Sequence, residues 1–213
     1  MEGNACTFSH STGHDFKRGF TGGRGIGYEL FDIAIRRIKH LDSYIYQADI
    51  PLRWRHMFES DFAVTCLENT SPIENVSIRE QFIGASVDYE LHRCRMMMAP
   101  INLKGSWSCY VWDLREHVVS IIDPTAGTNF FTGWGMEVGE FSKTVVRISD
   151  RSCTRAESGF YTLFCMKNFD GKENIHTTDA IIQKFKEYML YETFGLKPNG
   201  GMLPSVYVES IDD

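Results

Sequence analysis

Three short apolar segments follow one another in APINLKGSWSCYVWDL (residues 99–114) and VVSIIDP (residues 118–124), the first of them beginning upstream at Met96. The runs are separated by Lys104-Gly105 and by Arg115-Glu116-His117. Short apolar or alternating runs with such breaks are typical of antiparallel strands joined by tight turns. The sequence therefore predicts three consecutive antiparallel strands, at residues 96–103, 107–114 and 118–123. Pro124 lacks a backbone donor and ends the third strand, which places Asp123 at a strand terminus.

Helical patterns flank these strands. From Tyr28 to a point before Pro51, apolar residues recur at helical spacing and predict an amphipathic helix whose inward face carries Leu30, Phe31, Ala34, Ile35, Ile38, Leu41 and Ile45. The run after Ser158 is apolar almost all round, which indicates a buried central helix. A last helix starts at Thr178-Asp179, closes at Gly195 and faces inward with Ile181, Ile182, Phe185, Tyr188 and Met189.

Two further segments complete the predicted order of elements. Residues 53–67 mix aromatic and charged side chains and predict a second helix that runs into a short strand. Residues 142–148 alternate in a way that predicts a fourth strand. Helices, then strands, then helices define an α+β domain.

Size and composition favour one domain. The chain has 213 residues and is 43% hydrophobic, enough for one sizeable core. We assign residues 28–213 to this domain. Residues 1–27 hold seven glycines and few aliphatic side chains, so we expect a Gly-rich arm that is either flexible or ordered against the domain or a partner.

Net charge indicates the class of partner, and the cysteines indicate the cellular compartment. A formal charge of −6 leaves no basic surplus for phosphates, which argues against nucleic acid and favours a protein partner. The sequence shows neither an apolar leader nor a run long enough to span a membrane. Irregularly spaced cysteines in a chain of this size predict reduced thiols, no disulfides and a cytosolic or nuclear protein; they are Cys6, Cys66, Cys94, Cys109, Cys153 and Cys165.

The two stretches quoted first, together with ESGFYTL (residues 157–163), resemble the SUMO-specific proteases of the ubiquitin-like-protein-processing family. The similarity is greatest to the divergent, transposon-associated copies of plants, and WRHMFESDF (residues 54–62) also resembles the region before the core in those copies. The resemblance implies a papain-like cysteine protease superfold, with a mixed or antiparallel central sheet flanked by helices. It further implies a ubiquitin-like modifier as the ligand class.

The catalytic positions of that family are altered in this sequence. The family's His directly precedes the Trp, its Asp ends the next strand, and its Cys starts the central helix; here these positions read Ser106, Asp123 and Ser158. The position nearest to the family's oxyanion-binding Gln is Ser152. A serine hydroxyl without a base is a poor nucleophile, and losing triad members costs on the order of 10⁶ in turnover. We therefore expect a catalytically inactive pseudoprotease.

Each of these residues also has a structural interpretation. Asp123 is either a catalytic remnant or the start of an Asp-Pro turn. Trp107 either lines the channel for the modifier's diglycine tail, as the resemblance implies with Glu157 and Gly159 beside it, or is a cross-strand aromatic residue. We expect Ser158 to cap the central helix.

Three other patterns are weak. Cys6, His10 and His14 recur every four residues, but three ligands without a fourth make a poor zinc site, so we expect no metal and no cofactor. Residues 23–27 resemble a phosphate loop only superficially, since no apolar strand precedes them. Cys153 could act as a displaced nucleophile with His117 or His92 as base, which would make the protein a rewired isopeptidase.

The resulting hypothesis is a pseudoprotease that works as a protein-binding or regulatory module. Its partner would be a ubiquitin-like modifier or an unrelated protein that it restrains, as an inhibitor or antidote does, in a homo- or hetero-oligomer. The runner-up is an active or rewired isopeptidase for SUMO or a related modifier.

Overall fold

The computed structural model describes residues 19–20, 23, 25–45, 54–68, 71, 74–84, 87, 89–125, 141–146, 153–172 and 175–194. The α-helices bounded within these residues are α1 (Tyr28–Ile45), α2 (Ser60–Leu67), α3 (Val76–Ile83), α4 (Arg155–Asn168) and α5 (Asp179–Phe194). The strands within them are β1 (Arg55–Met57), β2 (Met96–Leu103), β3 (Ser106–Asp113), β4 (Val118–Ile122) and β5 (Ser142–Val146).

The strands form one mixed sheet in the order β1-β2-β3-β4-β5. The three central strands are antiparallel, whereas β1 and β5 join the edges in parallel. The predicted three-strand meander is therefore confirmed. Its first turn, at Lys104 (φ 52°) and Gly105 (φ 81°), has both central residues in the left-handed region, as a two-residue hairpin requires.

The segment at residues 53–67 corrects one prediction. We expected a helix followed by a strand, but the strand β1 comes first and the helix α2 second. The three residues of β1 pair with Met96–Met98 in β2. Because that pairing joins segments some forty residues apart, local periodicity could not reveal it. Of the predicted fourth strand, residues 142–146 form β5, while residues 147 and 148 lie outside the described part.

The main core lies between the sheet and α1, α4 and α5. Helix α4 is buried on most sides, with Leu163, Cys165 and Met166 all at 0% exposure, as predicted for a central helix. A second cluster lies on the opposite face of the sheet, where Ala63 of α2 joins strand residues including Val119. The active-site positions predicted above therefore lie at the junction of the central sheet with its most buried helix.

Two residues predicted to face inward are exposed instead: Ile45 at 71% and Ile181 at 41%. Ile45 is the last residue of α1 and Ile181 lies in the first turn of α5. Helical periodicity identifies the apolar face but not where along the helix the core ends, which explains both errors. Gly195 lies outside the described residues.

The described apolar residues of the Gly-rich arm contact the domain. Phe20 is 4% exposed and its ring lies 5.3 Å from that of Phe160, while Ile26 is 3% exposed and belongs to the main core. Within the described parts of the chain, no helix is both long and apolar enough to cross a membrane.

Candidate functional site

Three elements bring the predicted site together. Strand β3 begins at Ser106, β4 leads into Asp123, and α4 carries Ser158 close to its start. A hydrogen bond of 2.9 Å from the backbone N–H of Trp107 to the Ser158 hydroxyl joins β3 to α4. The positions that the family resemblance assigns to the catalytic His, Asp and Cys are therefore grouped at one end of the sheet.

Helix α4 starts three residues earlier than the predicted cap. Thr154 precedes its first residue, and the Glu157 carboxylate accepts hydrogen bonds from the Thr154 backbone N–H (3.0 Å) and hydroxyl (2.7 Å). These bonds lower the pKa of Glu157. Ser158 is therefore not the cap, and that prediction was wrong. The Thr-x-x-Glu spacing of residues 154–157 is a helix-start signature that the sequence interpretation missed.

The Ser158 hydroxyl is buried and makes two hydrogen bonds inside the protein. The side chain is 0% exposed, and its oxygen donates to the backbone carbonyl of Arg155 at 2.7 Å while accepting from Trp107 N–H. A serine hydroxyl has a single proton, and here that proton goes to a backbone carbonyl. Attack on a substrate carbonyl would need Ser158 to give up its bond to Arg155 and pass the proton to a base, and the family's base position holds Ser106.

Ser106 and Asp123 are linked through Thr125, a residue that the sequence interpretation did not single out. The Thr125 hydroxyl donates to Asp123 Oδ1 at 2.7 Å, and its backbone N–H donates to the same oxygen at 2.9 Å. Because Thr125 has no second hydroxyl proton, Ser106 is the donor in the 3.2 Å contact between their oxygens. Asp123 thus forms the local turn that its Asp-Pro sequence predicts.

Trp107 is a core residue in this structure. Its side chain is 1% exposed, the Phe31 ring stacks on it at 3.7 Å with an interplanar angle of 1°, and its Nε1–H donates to the Ile26 carbonyl at 3.0 Å. Gly159 is required beside it, because a Cβ at that position would lie 2.1 Å from Ile26 Cγ2. An indole enclosed in this way presents no open wall to a diglycine tail.

Cys153 lies near this group, since its backbone N–H donates to the Pro124 carbonyl at 3.1 Å. Burial is the main cause that raises the pKa of its thiol to about 12, and the charge of Glu157 contributes next. A reactive thiol needs the opposite environment, with nearby positive charge and a low pKa. Cys153 is therefore protonated at neutral pH.

Neither histidine proposed as a base is placed to serve Cys153. His92 precedes β2 and His117 precedes β4, and both strands begin beside Asp113, the last residue of β3. Ser106 is the first residue of β3, and eight residues of strand span about 23 Å. Both imidazoles therefore lie at the far end of the sheet.

Some predicted positions cannot be placed. Ser152, Cys6, His10 and His14 lie outside the described residues, and so does Arg24 in the segment that superficially resembled a phosphate loop. In the parts that are described, no group of three or more His, Cys, Asp and Glu side chains is arranged to hold a metal ion.

Comparison with solved structures shows which class of protein has this fold. SUMO protease Ulp1 with its catalytic cysteine oxidized to a sulfonic acid aligns with a TM-score of 0.62 at 12% identity, covering 84% of this chain and 82% of that chain. The Ulp1-like SUMO protease catalytic domain of Chaetomium thermophilum aligns at 0.56 with 14% identity, covering 87% and 76%. The C-terminal Ulp1 protease domain in complex with Smt3, the yeast ortholog of SUMO, aligns at 0.53 with 14% identity, covering 84% and 82%.

The chain therefore has the fold of the Ulp1-like SUMO proteases, and the predicted α+β, papain-like architecture is confirmed. At such low identity this likeness shows the fold alone. No protein-family model matches the sequence, and no curated protein sequence matches it significantly.

The hydrogen bond between β3 and α4 should contribute measurably to the free energy of unfolding. In Ser158→Ala the Trp107 N–H is left buried without an acceptor, and we expect a loss of about 1–3 kcal/mol in the free energy of unfolding. The matched control is Ser106→Ala, which removes only the outer donor to Thr125 and should cost less. Urea unfolding of both variants gives the comparison, and equal losses would contradict the role assigned to Ser158.

Proposed function

We propose that this protein is a catalytically inactive relative of the SUMO proteases that works by binding another protein. The observation that supports this proposal most strongly is the state of Ser158. At the position where the resemblance places the nucleophile, a buried hydroxyl donates its proton to the Arg155 carbonyl and accepts a hydrogen bond from the Trp107 N–H. Such a group holds α4 against the sheet, and it does not attack a carbonyl.

The missing base strengthens the argument. Peptide hydrolysis by a serine or cysteine needs a group that takes the nucleophile's proton and later returns it to the leaving amine. Ser106 has no proton affinity near neutral pH, and its hydroxyl is turned towards Thr125. Asp123 has no imidazole to orient. Without nucleophile and base, turnover falls on the order of 10⁶-fold.

A rewired isopeptidase centred on Cys153 is the competing proposal, and the chemistry around that thiol disfavours it. Burial and three carboxylates, Glu157, Asp123 and Asp179, all raise its pKa. The two histidines considered as its base, His92 and His117, lie at the far end of the sheet.

The fold itself supports the binding part of the proposal. A Ulp1 domain of the same fold forms a complex with Smt3. The partner proposed for this chain is a ubiquitin-like modifier or a protein that the chain restrains, in the manner of an inhibitor or antidote. Descent from the transposon-associated plant copies is part of the same proposal, since the sequence resembles them most.

Hydrolysis assays test the proposed lack of catalytic activity. The full chain is incubated with a SUMO precursor and with a SUMO conjugate, with an active SUMO protease as positive control and the Cys153→Ala variant as matched control. We expect no product above the enzyme-free blank from either form of this protein. Product that disappears in Cys153→Ala would establish the rewired isopeptidase instead.

Co-purification tests whether the protein binds another protein. We expect the chain isolated from its native source to elute in size-exclusion chromatography as a stoichiometric complex with a second protein or a second copy. A chain that elutes only as a free monomer, and that shows no binding to SUMO by calorimetry, would contradict a binding role.

A further inference from the structure

Helix α3 exposes two apolar side chains on its outer face. Val76 is 55% exposed and Ile83 is 75% exposed, the highest value among the large apolar side chains in the described part of the chain. The two residues are seven apart, so they lie two turns from each other on one side of the helix. The opposite side is buried, with Ile78 at 0% and Gln81 at 6% exposure. The outer face of α3 is therefore turned to solvent along its whole length.

Two opposite charges lie between these apolar residues. Arg79 and Glu80 are both exposed, and among the described residues neither of them forms an ion pair. Successive residues of a helix are about 100° apart around its axis, so the two charges flank the line from Val76 to Ile83, one on each side. The outer face thus carries an apolar residue, a cation, an anion and an apolar residue in chain order.

This order is symmetric about the midpoint between Arg79 and Glu80. Two identical helices that pack antiparallel about a two-fold axis through that midpoint bring the same patch of each copy into contact. Val76 of each copy then meets Ile83 of the other, and Arg79 of each copy meets Glu80 of the other. The outer face of α3 is therefore complementary to itself in both apolar contact and charge.

A second copy of the chain suits this face better than a membrane surface does. Peripheral helices that bind anionic lipid place basic residues beside their apolar ones. The surroundings of α3 are acidic instead, with Glu68, Glu74 and Glu80 all exposed. Such charges repel a lipid surface, whereas Arg79 and Glu80 of two copies neutralise each other.

We propose that α3 is a self-association surface through which two copies of this chain pair about a two-fold axis. The inference goes beyond the proposed function and does not require catalytic inactivity. A helix of eight residues is only about 12 Å long, so the contact covers far less than the roughly 800 Å² per partner of a stable complex. We therefore expect a dissociation constant on the order of 0.1–1 mM. Pairing of this strength becomes effective when one larger partner holds two copies, because linkage raises the effective concentration into the millimolar range.

Sedimentation equilibrium of the full chain, measured over a concentration series up to about 2 mM, tests the pairing. We expect the average mass to rise from that of one chain towards that of two. Ile83→Lys places a charge in the apolar contact and should weaken the pairing at least tenfold. The matched control is Tyr191→Lys, at a side chain of α5 that is 47% exposed, which should leave the pairing unchanged.

A charge exchange tests the predicted geometry. Arg79→Glu gives a chain with two anions on the face, and Glu80→Arg gives a chain with two cations, so each variant alone should pair at least tenfold more weakly than the wild type. In an equimolar mixture the two variants should associate with each other as strongly as the wild type does, because each anion then meets a cation. All these side chains are exposed, and circular dichroism confirms that every variant is folded.

Three results would overturn the proposal. They are a wild-type chain that stays monomeric up to about 2 mM, pairing that survives Ile83→Lys, and a mixture of the two charge variants that stays monomeric. These results are separable from the hydrolysis assays. Measurable hydrolysis would refute the proposed function whatever the sedimentation gives, and a monomeric chain would leave catalytic inactivity standing.

Discussion

Replacing Arg55 by Ala is expected to lower the free energy of unfolding by about 3–5 kcal/mol, the largest loss predicted for a single substitution in this protein. The guanidinium donates from Nη1 to the carbonyls of Met166 (2.8 Å) and Lys167 (2.5 Å) in the last turn of α4. It also donates to both oxygens of Asp42 in α1, at 2.8 and 3.0 Å. The two charged side chains are only 8% and 13% exposed.

The size of that effect follows from burial. Without Arg55, the largely buried Asp42 carboxylate loses its ion-pair partner, and the end of α4 loses a cation that complements its dipole. The matched control is Arg36→Ala. Arg36 forms a similar two-pronged pair with Glu59 but is 56% exposed, and such surface pairs contribute about 0–1 kcal/mol. Chemical unfolding that gives equal losses for the two variants would refute the structural role of Arg55.

The second large effect is an acid sensitivity caused by His56. This residue is 0% exposed, its Nδ1 lies 2.8 Å from the Tyr89 hydroxyl, and its Nε2 has no hydrogen-bond partner among the described residues. Burial, with a smaller contribution from the charge of Lys39, lowers the pKa of His56 from 6.5 to about 3. Between these values the unfolded chain binds a proton that the folded chain does not. The stability contributed by His56 is therefore complete above pH 6.5 and is lost as the pH falls towards 3.

The slope is about 1.4 kcal/mol per pH unit, so lowering the pH from 6.5 to 4.5 should cost the wild-type protein about 2–3 kcal/mol from this residue alone. His56→Gln should remove that loss, whereas His92→Gln, at an imidazole that is 77% exposed, should not. Unfolding curves at several pH values measure the slopes. An unchanged slope in His56→Gln would show that another group causes the acid sensitivity.

Asp32 has the opposite effect on stability at low pH, so its contribution has to be separated from that of His56. Burial raises the pKa of Asp32 to about 6, although its hydrogen bonds from the Ser60 N–H and hydroxyl partly offset the rise. The folded chain therefore binds the extra proton between pH 3.8 and about 6, and this residue alone makes the protein more stable as the pH falls through that range. The His56 term is thus best obtained as the difference between wild type and His56→Gln, in which the Asp32 contribution cancels.

Some features of the fold could be predicted from the sequence because they depend on neighbours along the chain. The hairpin at Lys104-Gly105 needs only residues that tolerate positive φ, and the buried character of α4 follows from its own apolar run. The strand β1 could not be predicted in this way, because only its pairing with β2 makes three residues around His56 extended. Exposure of Ile45 likewise depends on where the core ends.

The candidate site also has features that the sequence predicts and features that it does not. The altered positions Ser106 and Ser158 and the retained Asp123 could be found by comparing the sequence blocks with the family pattern. Their bonding could not, because the Trp107–Ser158 bond joins groups 51 residues apart and the role of Thr125 depends on the β3–β4 register. The enclosure of Trp107 by Phe31 is a tertiary contact between α1 and β3, and no local pattern indicates it.

Covalent labelling tests the central claim of catalytic inactivity most directly. The full chain is incubated with SUMO that carries a cysteine-reactive group at its C-terminus, and the intact mass is measured beside an active SUMO protease as positive control. We predict no adduct, because Ser158 presents no thiol and the Cys153 thiol is protonated and half-buried. An adduct of one modifier per chain, mapped to Cys153 and absent in Cys153→Ala, would contradict that claim.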